Sequence, residues 1–377
     1  MNAKQLMYDR AAWKAALSVA AWLVIVLSTS ACATRPSAAV LQRVELASPS
    51  ARTVTIYVTT TRSPDPKGLG YSDGKARETR YLEYTISIPP EHKTGNIEYP
   101  GTKPDPRRSF VVVGKRELER EAFLAEVAKR GQKEAGVFVH GFNYSFQEAL
   151  FRLAQMSADA QFDGAPILFS WPSSATVTGY LADKEAATYS RDALSLLLRD
   201  LAIKRFSNIV IFGHSMGGWL TTEALRQLRL SHQGDVLDRL TVMLAAPDID
   251  VDVFRKNVET IGRLRTPMAV LVSSDDRALQ ISSILSGDRR VGSLDVTDPK
   301  VAEAARQYNI AIVDISELPS SGPMNHNRFP NLAATYRQLG ANGQPSGFRR
   351  AGAFVVNTVG TTVSRPFYLL SAIISGN

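Results

Sequence analysis

From Gly136 to Val313, short apolar runs alternate with stretches of helical period, and this alternation restricts the possible folds more than any other feature. The apolar runs are 136–140, 165–170, 208–212, 240–245, 268–273 and 310–313. The helical stretches are 146–160, 184–203, 216–229, 251–260 and 277–285. Continuous apolar strands separated by amphipathic helices bury a mainly parallel sheet under helices on both faces, an α/β fold. The first helix carries a capping box, Ser145-x-x-Glu148, ahead of Phe146, Ala149, Leu150 and Leu153 on one side. Three earlier runs, 54–60, 81–88 and 110–113, are separated by polar turns with no helix between them. They predict an antiparallel N-terminal β extension over 51–115, leading into a domain over 116–343 and a tail over 344–377 that holds an apolar stretch at 366–374.

The N-terminus has a different logic. Lys4, Arg10 and Lys14 precede an apolar run, Ala15 to Leu27, then small residues, then Cys32. A basic start, a short apolar core and small residues make a secretory signal over 1–31. A cysteine directly after it resembles the lipobox of bacterial lipoproteins, with Thr29 where leucine is usual. The expectation is an exported envelope protein, lipidated at Cys32 and held to the membrane by a flexible tether over 32–50. As the single cysteine, Cys32 also excludes a disulfide framework and a multi-cysteine metal site. The net charge of +8 comes from scattered Lys and Arg, without a nucleic-acid motif. An anionic membrane surface fits that balance better than nucleic acid does.

The chemistry concentrates after Ile209-Val210-Ile211-Phe212. There Gly213-His214-Ser215-Met216-Gly217 stands between a strand and a helix, the setting of a nucleophile elbow. The glycines permit a turn sharp enough to expose the serine oxygen at a helix N-terminus, whose dipole favours developing negative charge. His140-Gly141-Phe142-Asn143, after an earlier strand, predicts one oxyanion donor at the Phe142 amide, and the Met216 amide supplies the second. The His140 side chain reads as structural. In such a fold the base follows the acid, which follows the serine. His232 comes too soon after the elbow, so His326 remains. The acid belongs after 268–273, where Asp275 and Asp276 stand. Asp248, Asp250 and Asp252 are rivals, and they read more simply as a helix cap. Trp171 to Asp183 is a candidate pocket wall.

These segments together resemble the bacterial α/β-hydrolases grouped as DUF900, a domain of unknown function related to esterases and lipases. The resemblance runs from about Ile56 to Phe329. It rests on Thr59-Thr60-Thr61-Arg62, Ile97-Glu98-Tyr99-Pro100, His140-Gly141-Phe142-Asn143, Phe169-Ser170-Trp171-Pro172-Ser173, the elbow, Ala245-Ala246-Pro247-Asp248-Ile249-Asp250, Ser274-Asp275-Asp276-Arg277-Ala278-Leu279 and Asn325-His326. It implies an α/β-hydrolase fold with an N-terminal β extension, and it places the acid two residues before Ala278-Leu279, at Asp276. The resulting expectation is a serine hydrolase without metal or cofactor that cleaves an ester or related acyl bond of a small-molecule or lipid-like substrate. Thioester or amide cleavage would use the same groups, and a binding protein that keeps only the fold is the rival from another class.

Overall fold

The computed structural model describes residues 35–45 and 51–331, apart from 67, 102, 132, 133, 205, 207 and 321. The expected signal segment, Cys32 and the tail from 344 onward lie outside the described residues. Among the described residues, nine strands form one sheet in the order β3-β2-β1-β5-β4-β6-β7-β8-β9. They are β1 (Thr53–Pro64), β2 (Tyr71–Ser87), β3 (Val111–Leu118), β4 (Glu134–Val139), β5 (Ala165–Ser170), β6 (Asn208–His214), β7 (Leu240–Ala245), β8 (Met268–Val272) and β9 (Ile310–Asp314). The first three pair antiparallel, and every later pairing is parallel. The N-terminal strands do not stand apart, because β1 pairs in parallel with β5 and continues the same sheet.

Strands β5, β6 and β7 are buried along their whole length, which explains why their sequences are continuously apolar and do not alternate. One face is covered by α1 (Arg120–Gly131), α3 (Tyr180–Ile203), α4 (Met216–Leu230) and α6 (Val251–Ile261), through Phe123, Leu197, Leu220 and Phe254. The other face is covered by α2 (Phe146–Ala160), with Phe146, Leu150 and Phe151 against Val58, Leu168 and Phe212. The Ser145–Glu148 capping box that starts α2 is formed in both directions. The remaining helices are α5 (Gly234–Leu237), α7 (Arg277–Ser286) and α8 (Pro299–Tyr308).

The expected tether needs correction in its described part. Ala38–Leu41 forms a 3-10 turn whose Val40 and Leu41 are buried against the α2 face of the sheet. Two apolar side chains gain more by docking there than the short segment gains by staying free. Among the described residues, no helix is long and apolar enough to cross a membrane.

Candidate active site

All parallel strands end at one edge, and the expected residues gather on the loops that leave it. At the end of β6, Ser215 has φ 53° and ψ −123°, a left-handed conformation that costs a non-glycine residue strain. The strain is held by three backbone hydrogen bonds. The Ser215 N–H donates to Ala245 O at 2.9 Å, and Ser215 O accepts from Gly218 N at 2.9 Å and Asp248 N at 3.3 Å. The glycines allow this approach. A Cβ on Gly217 would sit 2.3 Å from the carbonyl oxygens of Val139 and His140, and one on Gly213 would sit 2.7 Å from Thr221 Oγ1. Ser215 therefore lies at the very start of α4, with only 4% of its surface exposed.

His326 follows β9 and reaches back to the end of β8. Its Nδ1 is 2.7 Å from Asp276 Oδ2, and the Asp276 carboxylate is fully buried. The other Asp276 oxygen caps α7 by accepting from Leu279 N at 3.0 Å. Its neighbour Asp275 points elsewhere, accepting from Asn325 Nδ2 at 2.9 Å and Arg328 at 2.6 Å. The two adjacent aspartates thus divide the work: one faces the imidazole and the other ties down the loop that carries it. Arg277 N donates to Met324 O at 3.0 Å and closes the same loop onto α7. No hydrogen bond joins Ser215 Oγ to His326 among the described residues; such bonds often tighten only once substrate is in place.

The rival aspartates lie away from His326. Asp250 caps α6 through the amides of Asp252 and Val253, as the capping reading expected. Asp248 pairs with buried Arg290 at 3.2 Å and accepts from Tyr180 Oη at 2.9 Å and Ser282 Oγ at 2.8 Å.

The loop after β4 crosses directly over the elbow. A Cβ on Gly141 would meet Ser215 Cβ and His214 Nδ1, both at 2.9 Å, so only glycine allows this contact. Neither the Phe142 nor the Met216 amide has a hydrogen-bond partner among the described residues. The Phe142 ring packs edge-on against Tyr180, with centroids 5.5 Å apart. The His140 side chain is buried, donates from Nδ1 to Gly141 O and stacks on Trp171 at 5.0 Å. Burial, reinforced by the Arg62 charge, lowers its pKa to about 3, so it stays neutral. Trp171 is fully buried and donates to His140 O at 2.7 Å, so this end of the expected pocket wall is core. His214 is also held neutral by burial, and its ring lies 4.7 Å from that of His326.

One supporting pair was not legible as such. Arg62, just past the last β1–β5 pairing, is almost wholly buried. It donates to Ser170 Oγ, to the Ser72 and Ser173 carbonyls, and to Tyr144 O in the loop after β4. Asp183 on α3 accepts from Ser173 Oγ and the amides of Ser174 and Asn143. The Thr59–Arg62 segment supplied a signal for the arginine, whereas Asp183 stood out only as the last residue of the candidate pocket wall, and the structure places it in the first turn of α3. Among the described residues, no group of three or more His, Cys, Asp or Glu side chains is placed to hold a metal ion.

Residues 115–342, more than half of the chain, match the family described as alpha/beta hydrolase of unknown function (DUF900). The chain belongs to this family. The match begins past β1 and β2, so it does not include the Thr59–Arg62 and Ile97–Pro100 segments. No curated protein matches the chain. Among solved structures, it is similar to an esterase of the fungus Rhizomucor miehei, at 11% identity and TM-score 0.35, over 78% of this chain and 86% of that one. It is also similar to a dienelactone hydrolase-like promiscuous phosphotriesterase from metagenomic libraries, at 14% identity and TM-score 0.33, over 76% of this chain and 98% of that one.

Proposed function

We propose that this α/β-hydrolase is a serine hydrolase that cleaves carboxylic esters or closely related acyl bonds through an acyl-enzyme. The observation that carries the reading is the 2.7 Å contact between His326 and the buried Asp276 carboxylate, on loops beside a serine held at φ 53° at the start of α4. In this mechanism Ser215 Oγ attacks the substrate carbonyl while His326 Nε2 takes the hydroxyl proton. Asp276 keeps Nδ1–H donating, which fixes the tautomer and stabilises the imidazolium without taking its proton. Charge moves onto the carbonyl oxygen, where the Phe142 and Met216 amides donate to it; each donor is worth roughly 3–4 kcal/mol of barrier. Collapse breaks the acyl–oxygen bond, and His326 returns the proton to the departing alcohol. Water then repeats the sequence on the acyl-enzyme and frees the acid and Ser215.

A panel of acyl esters of graded chain length, assayed with wild-type protein and Ser215→Ala, tests the proposal. The wild type turns over at least one ester, and the variant keeps its circular dichroism but loses the activity. Turnover by Ser215→Ala near the wild-type rate would overturn the assignment.

A further inference from the structure

The proposal that follows rests on the ester-hydrolase reading and concerns how substrate reaches the site. Among the large apolar side chains that stand in solvent at the edge that carries Ser215, five lie in the segments that follow β5, β8 and β9. Val177 and Leu181 are each 77% exposed, Ile281 49%, Ile284 80% and Met324 36%. They come from three separate stretches that the structure draws together. Tyr180, next to Leu181, meets Ser282, next to Ile281, at 3.1 Å. Met324 is joined to the first residue of α7 through its carbonyl and lies two residues before His326. On α7, Arg277, Gln280, Ile281 and Ile284 are all exposed, so two isoleucines occupy the side of an amphipathic helix that is ordinarily polar. By contrast, Ile203 and Leu230, the exposed residues at the far ends of α3 and α4, stand singly at the opposite edge of the sheet. Scattered single residues of that kind need no explanation; a group around a site does.

A second observation says what covers this rim. The chain enters the fold on the same side. Gly70, in the β1–β2 turn, lies against the Leu41 side chain and close to Phe146, the first residue of α2. Arg62 ties Ser72 of that hairpin to Tyr144 in the loop after β4. From Leu41 the chain runs away from this side as far as the Val44–Val112 hydrogen bond. Cys32 precedes Ala38 by only a few residues, a reach of roughly 20 Å when fully extended. A lipid on Cys32, the expectation from the sequence, would therefore tether the described fold through Ala38–Leu41, which lie at its Ser215 edge. We propose that Val177, Leu181, Ile281, Ile284 and Met324 form a membrane-docking rim through which the protein takes acyl esters from a lipid surface. Such a rim dips its isoleucines into the acyl region, while Arg277 and Arg289 remain at the headgroups, as in interfacial amphipathic helices.

The test uses the full-length protein reconstituted in phosphatidylcholine–phosphatidylglycerol vesicles with brominated acyl chains. The emission added by Ile284→Trp should be quenched by these chains, and that added by Ile203→Trp should not. Equal quenching at both positions, or none at 284, overturns the proposal. A blue shift at 284 that follows protein concentration and not lipid would assign the rim to a second copy of the chain instead. A second arm compares the Ile281→Asn/Ile284→Asn protein on a long-chain ester carried in vesicles and on a soluble short-chain ester. Losing two apolar anchors should lower the first rate about tenfold or more and leave the second within about twofold. Equal effects on both substrates count against docking. Wild-type protein that cleaves neither ester would refute the hydrolase reading alone, because the quenching result does not depend on turnover.

Discussion

Replacing Arg62 by methionine removes a guanidinium that bonds three backbone carbonyls and one hydroxyl, and leaves an apolar side chain that ends about where Nε stood. In the wild type, Nε donates to Ser170 Oγ at 3.0 Å, and the terminal nitrogens reach Ser72 O at 3.2 Å, Ser173 O at 3.0 Å and Tyr144 O at 2.8 Å. Hydrogen bonds to a charged partner are worth about 1.5–3 kcal/mol each. The guanidinium is itself costly to bury: desolvation pulls its pKa down to about 10 against the opposing charge of Asp183. The variant recovers that desolvation cost but strands buried carbonyls and leaves Asp183 without its nearby cation. Removing one partner from a buried charged network costs about 3–5 kcal/mol, and that is the expected loss. Urea unfolding followed by circular dichroism should show it as a lower midpoint with an unchanged slope. Arg62→Lys, which keeps the charge and loses the fork, should fall between. Because Tyr144 and Ser173 flank the Phe142 loop, turnover at permissive temperature should fall more than substrate affinity. An Arg62→Met protein within about 1 kcal/mol of wild type would refute the reasoning, since surface-like substitutions stay in that range.

Three further outcomes follow from the geometry. Asp276→Asn should lower ester turnover by up to about 10⁴, whereas Asp275→Asn should cost less turnover and mainly loosen the His326 loop it shares with Arg328; steady-state kinetics on both variants decide, and a deader Asp275 variant contradicts the assignment. Gly217→Ala would drive a Cβ to within 2.3 Å of two carbonyl oxygens and should lower stability by at least about 1–3 kcal/mol, read by thermal unfolding; a neutral result would mean that the elbow is looser than described. His92 is clamped between Glu98 at 2.7 Å and Asp159 at 2.8 Å. Burial alone would lower its pKa, but hydrogen bonds to Asp159 and Glu98 outweigh it and raise the value above the ordinary 6.5. The folded state therefore holds this proton more tightly than the unfolded chain, so the stabilisation is complete below pH 6.5 and fades as pH rises through the raised value. Unfolding midpoints across pH 6–9 should decline more for wild type than for His92→Gln; parallel declines would remove the clamp from the account.

The parts of the fold legible in the sequence are those where burial dictates composition. Strands β5 to β8 are sealed between helix layers, so their apolar runs announced them, and Ser145–Glu148 marked the start of α2. The elbow was legible because Gly213 and Gly217 are required by contacts that no side chain can share. Other elements left no such trace. The first half of β2 has no fully buried residue, so Tyr71 to Arg77 reads as part of a polar loop from Arg62 although it pairs with the end of β1. Helix α8 has no fully buried residue, its short stripe of Val301, Ala305 and Tyr308 being only half-buried, and α1 buries only Phe123, Leu124, Val127 and Gly131. At the site, the choice between Asp275 and Asp276 came from family resemblance. The physical difference between them, a carboxylate facing His326 against one facing Arg328, depends on side-chain direction at the end of β8. The network of Asp248, Arg290, Tyr180 and Ser282 joins residues about a hundred positions apart and has no local signature.

The central claim is that Ser215 is an activated nucleophile, and covalent labelling tests it most directly. Full-length protein treated with a fluorophosphonate probe, then digested and mapped by mass spectrometry, should carry the phosphonate on Ser215. Labelling should slow strongly in His326→Ala and disappear in Ser215→Ala. A folded wild-type protein that stays unlabelled, or one labelled elsewhere at the same rate in all three forms, would contradict the account.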